Sequence, residues 1–187
     1  MGRPKKFQRE GVLDSVIPLF WRTGFAGANV QQIEEITGVN KSGLYAEFGS
    51  KEAMFVAALE RYLETGPARR ILDQQPLGWQ NIEQFLLVAP QVSPAFGGCF
   101  SVNSTRDLAT LPREATELIE TFNVDRLASI KRNIEEETPP GDSDQLCDLV
   151  WTFFSGMCIN ANLGVDPVAH KNRVISFMRL LRSQTQS

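Results

Sequence analysis

The chain has 187 residues, of which 42% are hydrophobic and 22% charged, and its formal net charge is −3. This composition is that of a globular protein with a buried core, and the small negative charge excludes binding through a strong overall positive field. No apolar run approaches the ~18 residues of a membrane span, and the first residues lack the apolar segment of a signal peptide.

Charge is unevenly distributed along the chain. Residues 1–51 contain seven Lys or Arg and five Asp or Glu, whereas residues 52–187 contain twelve and seventeen. A chain with a mildly basic N-terminal part and an acidic remainder can bind nucleic acid through one end only.

The first predicted helix is an apolar stripe with helical spacing, which ends at Gly24. Pro18 lies inside the stripe, where it removes one backbone hydrogen bond and predicts a kink. The stripe consists of Leu13, Val16, Ile17, Phe20 and Trp21.

Two short helices follow, each with its own start and stop signals. Asn29 is an N-cap, Gln32 completes a capping box with it, and Gly38 ends this helix. Asn40 caps the next helix, which Gly49 ends. Two short helices joined by a glycine-containing turn are typical of a helix-turn-helix.

The second short helix carries few bulky side chains on its exposed face. Leu44 and Phe48, four residues apart, predict its buried side. In a helix-turn-helix this helix lies in the DNA major groove, and small residues allow its backbone to approach the bases. The alternative is a short surface helix of a bundle. The residues at issue are Lys41, Ser42, Gly43, Tyr45 and Ala46.

The segment FWRTGFAGANVQQIEEITGVNKSGLYAEFGSKEAMF resembles the N-terminal domain of the TetR family of bacterial transcriptional regulators. Glu34, Ile36 and Thr37 depart from the small alanines usual in the family. The resemblance is carried by Phe20, Gly24-Phe25, Asn29-Val30, Ile33, Gly38-Val39, Leu44-Tyr45, Phe48 and Ser50-Lys51-Glu52.

The resemblance implies DNA contacts at matching positions. It implies that Asn29, Lys41, Tyr45 and Lys51 contact phosphates. It implies that Ser42, Gly43 and Ala46 face bases. The basic segment with Arg3, Lys5 and Lys6 is similar to arms that reach the minor groove or the backbone, the alternative being a disordered tail; we favour the arm.

The resemblance implies an all-α fold with two parts. Residues 1–50 would form a three-helix DNA-binding domain containing the helix-turn-helix, and residues 51–187 a larger helical domain for ligand binding and dimerisation. Beyond residue 51 the support is helical patterning and length. Residues 99–111 are predicted to be helical, and Asp166-Pro167 is a helix start.

The last two predicted helices are apolar enough to need a partner for their outer faces. By resemblance they pair with those of a second subunit, which places two recognition helices about 34–36 Å apart on a palindromic operator. The alternative is that both helices are core elements of a monomer. The predicted dimer contacts are Leu146, Val150, Phe153, Val174, Phe177, Met178 and Leu181.

An apolar cavity for a small-molecule effector is a further prediction, and plain core packing is its alternative. Cys99 begins a predicted helix, where a helix N-terminus favours the thiolate; it is either a sensor of electrophiles or a buried packing residue. The predicted ligand-binding residues are Trp79, Phe96, Cys99, Phe100, Phe122, Trp151 and Phe154.

Catalysis finds little support in the sequence. The single histidine, His170, has no nucleophile motif around it, and neither a metal site nor a cofactor is expected. Three cysteines without a CxxC pair favour a reducing cytoplasm. We therefore predict a dimeric, ligand-responsive DNA-binding repressor that is not an enzyme. The alternatives are an all-helical small-molecule binding protein without DNA function and a cysteine-dependent enzyme.

Overall fold

The computed structural model describes residues 7–88, 97–137, 143–164 and 166–184, and within these ranges it contains helices and no strands. The predicted all-α fold is confirmed. The helices are α1 (Arg9–Gly27), α2 (Val30–Thr37), α3 (Lys41–Phe48), α4 (Lys51–Thr65), α5 (Pro67–Leu72), α6 (Trp79–Val88), α7 (Phe100–Ser104), α8 (Arg113–Glu135), α9 (Ser143–Ala161) and α10 (Pro167–Gln184).

The chain forms two compact units. The first comprises Met1–Thr65 and Asn103–Glu120, and the second comprises Gly66–Val102 and Thr121–Ser187. The predicted boundary after residue 50 therefore falls inside the first unit, because α4 packs on α1 and α3. The helix predicted over residues 99–111 is shorter, since α7 ends at Ser104 and a 3-10 turn, Thr105–Asp107, follows it.

The backbone of α1 is interrupted at Gly24, where the sequence predicted the end of the helix, and Pro18 lies inside α1. Within α1 only Gly24 has non-helical angles, with φ at +71°, a region that favours glycine. Asp107 reinforces the requirement, because a Cβ at position 24 would lie 2.5 Å from the Oδ2 atom of Asp107. Glycine is thus needed here both for the backbone angle and for the close approach of the Asp107 carboxylate.

Aromatic rings and one ion pair hold α4 against α1. The Phe55 ring packs edge-on against Phe20, with centroids 5.1 Å apart, and against Phe25 at 5.4 Å. Arg61 donates from Nε and Nη2 to the two carboxylate oxygens of Asp14, at 2.6 and 2.8 Å. These hydrogen bonds lower the pKa of the Asp14 carboxyl. The ring contacts and the ion pair together hold α1 and α4 in the arrangement that supports α2 and α3.

In the second unit a buried asparagine connects α8 to the segment around α5 and α6. Asn133 is fully buried and donates to the Leu72 carbonyl at 2.7 Å. Its side-chain oxygen accepts hydrogen bonds from Gly78 N and Asn81 Nδ2, each at 2.9 Å. Because these partners satisfy its polar atoms, Asn133 can lie in an apolar core.

His170 and Arg182 join α10 to α6. The Nε2 atom of buried His170 lies 3.2 Å from the carbonyl oxygens of Leu86 and Leu87, and burial lowers the pKa of this imidazole. Arg182 donates to Glu83 at 2.7 Å. The start of α10 is as predicted, since the Asp166 side chain accepts the Val168 N–H at 3.1 Å.

In the part of the chain that the structure describes, no helix is long and apolar enough to cross a membrane. The same residues contain no cluster of three or more His, Cys, Asp or Glu side chains that could bind a metal ion.

Candidate nucleic-acid interface

The turn between α2 and α3 is set by its caps. The Asn29 side chain accepts the Gln32 N–H at 2.9 Å, and the Gln32 side chain accepts the Asn29 N–H at 3.1 Å, as the predicted capping box requires. Gly38 follows α2 with φ at +66°, and the Asn40 side chain caps α3 by accepting the Gly43 N–H at 2.9 Å. Local signals thus determine the start and end of α2 and the start of α3.

Two buried side chains orient α3. Leu44 is fully buried and Phe48 is 7% exposed, as their spacing predicted. Arg9 of α1 lies over the Phe48 ring, 4.6 Å from its centroid, and forms an ion pair with Glu47 at 3.6 Å. The packing of Leu44 and Phe48 and the contacts of Arg9 therefore orient α3 so that its opposite face is exposed.

The outward face of α3 carries the predicted DNA-contact residues. Lys41, Ser42 and Ala46 are exposed, and Gly43 and Tyr45 are partly exposed. The Lys41 ammonium lies 5.5 Å from the centroid of the Tyr45 ring. A cation, two hydroxyl groups and two small residues are thus presented together on one short helix.

Gly43 has a structural role besides its small size. A Cβ at this position would lie 3.1 Å from both the Asn40 Oδ1 and the Val39 Cγ1 atoms, and 3.6 Å from the Phe7 ring. A side chain would therefore press on the cap that starts α3. The absence of a side chain here supports the turn as well as close approach to a ligand.

Lys51 is placed differently from the phosphate contact predicted for it. Its Nζ atom donates to the carbonyl oxygens of Phe25 and Ala28, each at 2.9 Å, and lies 4.3 Å from the centroid of the Phe25 ring. These carbonyls lie at the C-terminal end of α1, where a cation is stabilised by the helix dipole. The spacing of the motif identified the residue but not this intramolecular partner.

Glu34 has a role that the sequence did not reveal. Its carboxylate accepts the backbone N–H of Lys41, the first residue of α3. The contact connects α2 to the start of α3 and satisfies one of the N–H groups that a helix leaves unpaired. A carboxylate in place of the small residue usual at this position was the available signal.

The predicted interface also includes Asn29 and a basic N-terminal segment. Asn29 is exposed, but its side-chain oxygen is used in the cap, so its NH2 group is the donor available to a phosphate. Arg3, Lys5 and Lys6 lie outside the described residues.

The predicted ligand-binding residues are only partly brought together. Trp151 and Phe154 lie 5.4 Å apart by ring centroids, and Phe154 lies 4.7 Å from Phe85. Phe96 lies outside the described residues. Trp79, Phe100 and Phe154 are buried, while Phe122 and Trp151 are partly exposed.

All three cysteines are buried thiols. Cys99 directly precedes α7, and its Sγ lies 3.1 Å from the Ser101 hydroxyl. Burial raises the pKa of Cys147 to about 11 and raises the pKa of Cys158 further. The latter two thiols are therefore protonated at neutral pH.

The predicted dimer contacts divide into two groups. Phe153 and Phe177 are partly exposed and stack on each other, with ring centroids 3.9 Å apart. The others are covered by the chain itself, because they occupy the inward faces of α9 and α10, and they have almost no area to offer a second subunit. These are Leu146, Val150, Val174, Met178 and Leu181.

Sequence comparisons place the chain among bacterial regulators. Residues 12–58 match the family described as bacterial regulatory proteins, tetR family. The chain is 29% identical to the Escherichia coli (strain K12) HTH-type transcriptional repressor ComR over 181 residues, covering 87% of this chain and 83% of ComR. It is 35% identical over 101 residues to the repressor BdcR of the same strain, covering 52% and 51%.

Solved structures agree in fold. A cysteine mutant of the TetR family regulator CifR, complexed with 26-bp operator DNA, has a TM-score of 0.81 at 23% identity, covering 95% of this chain and 98% of CifR. The reduced form of Escherichia coli NemR has a TM-score of 0.76 at 18% identity, covering 94% and 95%. The family match shows that residues 12–58 are a TetR-family helix-turn-helix domain, and over most of its length the chain is similar to the transcriptional repressor ComR and has the fold of TetR family regulators.

Proposed function

We propose that the protein is a homodimeric repressor that binds a palindromic operator and leaves it when a small molecule binds the second unit. The observation that carries this proposal is α3, a capped helix anchored by buried Leu44 and Phe48, with Lys41, Ser42 and Ala46 on its exposed face. Such a helix fits the major groove, whose base edges need a close backbone and short polar side chains.

In this proposal the contacts divide by chemistry. Ser42, Gly43 and Ala46 face base edges. Lys41, Tyr45 and the NH2 group of Asn29 contact phosphates, which fix the position of the helix on the duplex. Arg3, Lys5 and Lys6 form a cationic arm along the DNA. Lys51 holds the end of α1 and contributes to DNA binding through the scaffold.

An electrophoretic mobility shift tests the proposal directly. The purified chain is incubated with DNA that flanks its own gene and with a scrambled duplex of equal length and composition. We expect specific retention of one duplex that contains an inverted repeat, with half-sites one helical turn apart or a multiple of it. Equal binding to both duplexes would contradict an operator-specific regulator.

Replacing Lys41 by methionine should weaken binding to the operator and to random DNA by the same factor, because phosphate contacts carry no sequence information. The slope of log affinity against log salt should fall by about one for each phosphate that the variant no longer neutralises. Filter binding at several salt concentrations measures both quantities. Lys171→Met, an exposed lysine of α10, is the matched control and should leave the slope unchanged.

Ser42→Ala is the complementary variant, because removing a hydroxyl that faces a base edge changes the ranking of operator variants. If Lys41→Met altered the preference among sequences, or Ser42→Ala left it unchanged, the assignment of these two side chains would be wrong.

Homodimerisation is proposed through the outward faces of α9 and α10. The stacked Phe153 and Phe177 rings border a shallow depression of about 390 Å³, and the neighbouring Leu180 is 66% exposed. Exposed apolar side chains on two adjacent helices are stabilised when a second copy covers them. A two-fold axis through this surface would present two copies of α3 to one palindrome.

The effector response is proposed as a population shift. An effector that binds more tightly to a form unable to span both half-sites must lower operator affinity by the same factor. The chain passes between the two units at three places: between Thr65 and Gly66, between Val102 and Asn103 within α7, and between Glu120 and Thr121 within α8. These three connections are the covalent routes by which a change in the second unit can reach the first.

A thiol-reactive inducer is the second candidate, favoured by the position of Cys99 directly before α7. Three solved structures of two proteins with a similar fold concern cysteines: the reduced form of NemR and two cysteine mutants of CifR. In this route alkylation of Cys99 would disturb the start of α7.

The thiol route predicts that iodoacetamide labels Cys99 before the other cysteines in the native protein and thereby releases DNA. Cys147 and Cys158 should react slowly, because burial raises the pKa of both thiols. Mass-spectrometric labelling against time measures the three rates, and Cys99→Ser should keep DNA binding and lose the response. Equal slow rates at all three cysteines would exclude this route and leave reversible binding.

A further inference from the structure

We propose that Arg126 of α8 binds the carboxylate of a small apolar organic acid, which is the effector class of the second unit. The inference deepens the effector response proposed above and rests on it for its regulatory meaning. It concerns a residue that the sequence did not single out.

Arg126 has a polar atom that the described residues leave without a partner. Its Nη1 atom is buried and has no hydrogen-bond partner, and it is the only such side-chain atom among the described residues. A guanidinium group has five N–H donors, and a buried donor left unpaired is costly, more so when it is charged. The position is therefore prepared for an acceptor that is not part of the described chain.

Two aromatic rings lie beside the guanidinium group. Its Cζ atom lies 5.8 Å from the ring centroids of both Trp151 and Phe154. Phe154 in turn packs on Phe85 at 4.7 Å. A cation over aromatic faces is attracted by them, and the partly exposed Trp151 ring provides an apolar wall. The positive charge therefore lies beside an apolar surface that suits the hydrocarbon part of a ligand.

No acidic side chain neutralises this cation within the described residues, whose ion pairs do not include Arg126. The nearby Cys158 thiol does not do so either. Burial and the Cys99 thiol raise the pKa of Cys158, and Arg126 opposes this rise only in part. The protonated thiol leaves the positive charge for a ligand.

The chemistry of the Arg126 guanidinium group indicates the class of ligand. A planar guanidinium binds a carboxylate through two parallel N–H···O bonds, a geometry that an amide or an alcohol cannot reproduce. Aromatic side chains beside it favour an aromatic or aliphatic body. A small monocarboxylic acid with an apolar body satisfies both requirements.

Isothermal titration calorimetry of the full chain with benzoate, phenylacetate and octanoate tests the site, with benzamide as the neutral control. At least one acid should bind the wild type, and Arg126→Met should weaken that acid about tenfold or more, as expected when a hydrogen bond to a charged group is removed. Arg126→Lys keeps the positive charge but not the parallel N–H donors of the guanidinium group, and it should give an intermediate loss of acid affinity. Benzamide should not distinguish the variants.

The melting temperature separates this role from a structural one. Without ligand, Arg126→Met should be at least as stable as the wild type, because a buried N–H group that lacks a partner has been replaced by an apolar side chain. A lower melting temperature, equal acid affinity in both proteins, or no acid binding by the wild type would each overturn the proposal. Operator binding is measured without acid, so its failure would contradict the proposed repressor and not the acid site.

Discussion

Replacing Phe177 by aspartate should convert a dimer into a monomer and lower operator affinity by about a hundredfold or more, the range in which two linked binding sites exceed one. Phe177 stacks on Phe153 at 3.9 Å and keeps part of its ring exposed. A carboxylate at this position would have to be buried without a partner in the dimer, which is costly. Each half-site would then be bound by a separate monomer.

Equilibrium sedimentation and a mobility shift measure the two consequences independently. Val124→Asp is the matched control, because Val124 is an apolar residue of α8 that is 65% exposed in the second unit. This control should stay dimeric and keep its operator affinity. A wild-type monomer with full operator affinity would remove the dimer from the proposal, and a dimeric Phe177→Asp would move the interface elsewhere.

The DNA-binding elements could be predicted from the sequence because their determinants are local. A cap, a capping box and a glycine with positive φ each act within four residues, so Asn29, Gln32, Gly38 and Asn40 specify α2 and the start of α3 without reference to the rest of the chain. The buried side of α3 followed from the four-residue spacing of Leu44 and Phe48. The structure confirms each of these features.

Long-range partners could not be predicted in the same way. Helical periodicity identifies an apolar face, but it does not say whether that face is covered by the same chain or by a second one. Val150 and Val174 were therefore predicted at an interface although they are fully buried within one chain. Asp14 and Arg61 are 47 residues apart, and no local pattern joins them.

Polar groups without partners were still less accessible to sequence reasoning. Arg126 looks like an ordinary charged residue of a long helix, and only packing shows that its Nη1 atom is buried and that its guanidinium group lies near two aromatic rings. The aromatic residues themselves were recognised as candidates, because their number and spacing are visible in the sequence. Arg126, whose charge would give these aromatic residues specificity for a ligand, was not recognised from the sequence.

Lys51→Met should lower the free energy of unfolding of the first unit by about 2 kcal/mol or more, because it removes two hydrogen bonds from a charged donor. The carbonyl oxygens of Phe25 and Ala28, each 2.9 Å from Nζ, would lose this partner at the end of α1. Chemical denaturation of the full chain measures the change. Lys171→Met removes an equal charge from the exposed surface of α10 and should have little effect.

The salt dependence of DNA binding decides between the two roles of this lysine. If Lys51 acts through the scaffold, Lys51→Met lowers the stability of the first unit, and the slope of log affinity against log salt stays that of the wild type. If Lys51 contacts a phosphate, the slope falls by about one and the stability is unchanged. The second outcome would contradict the role inferred from its two carbonyl partners, because a donor used within the protein releases no counterion from DNA.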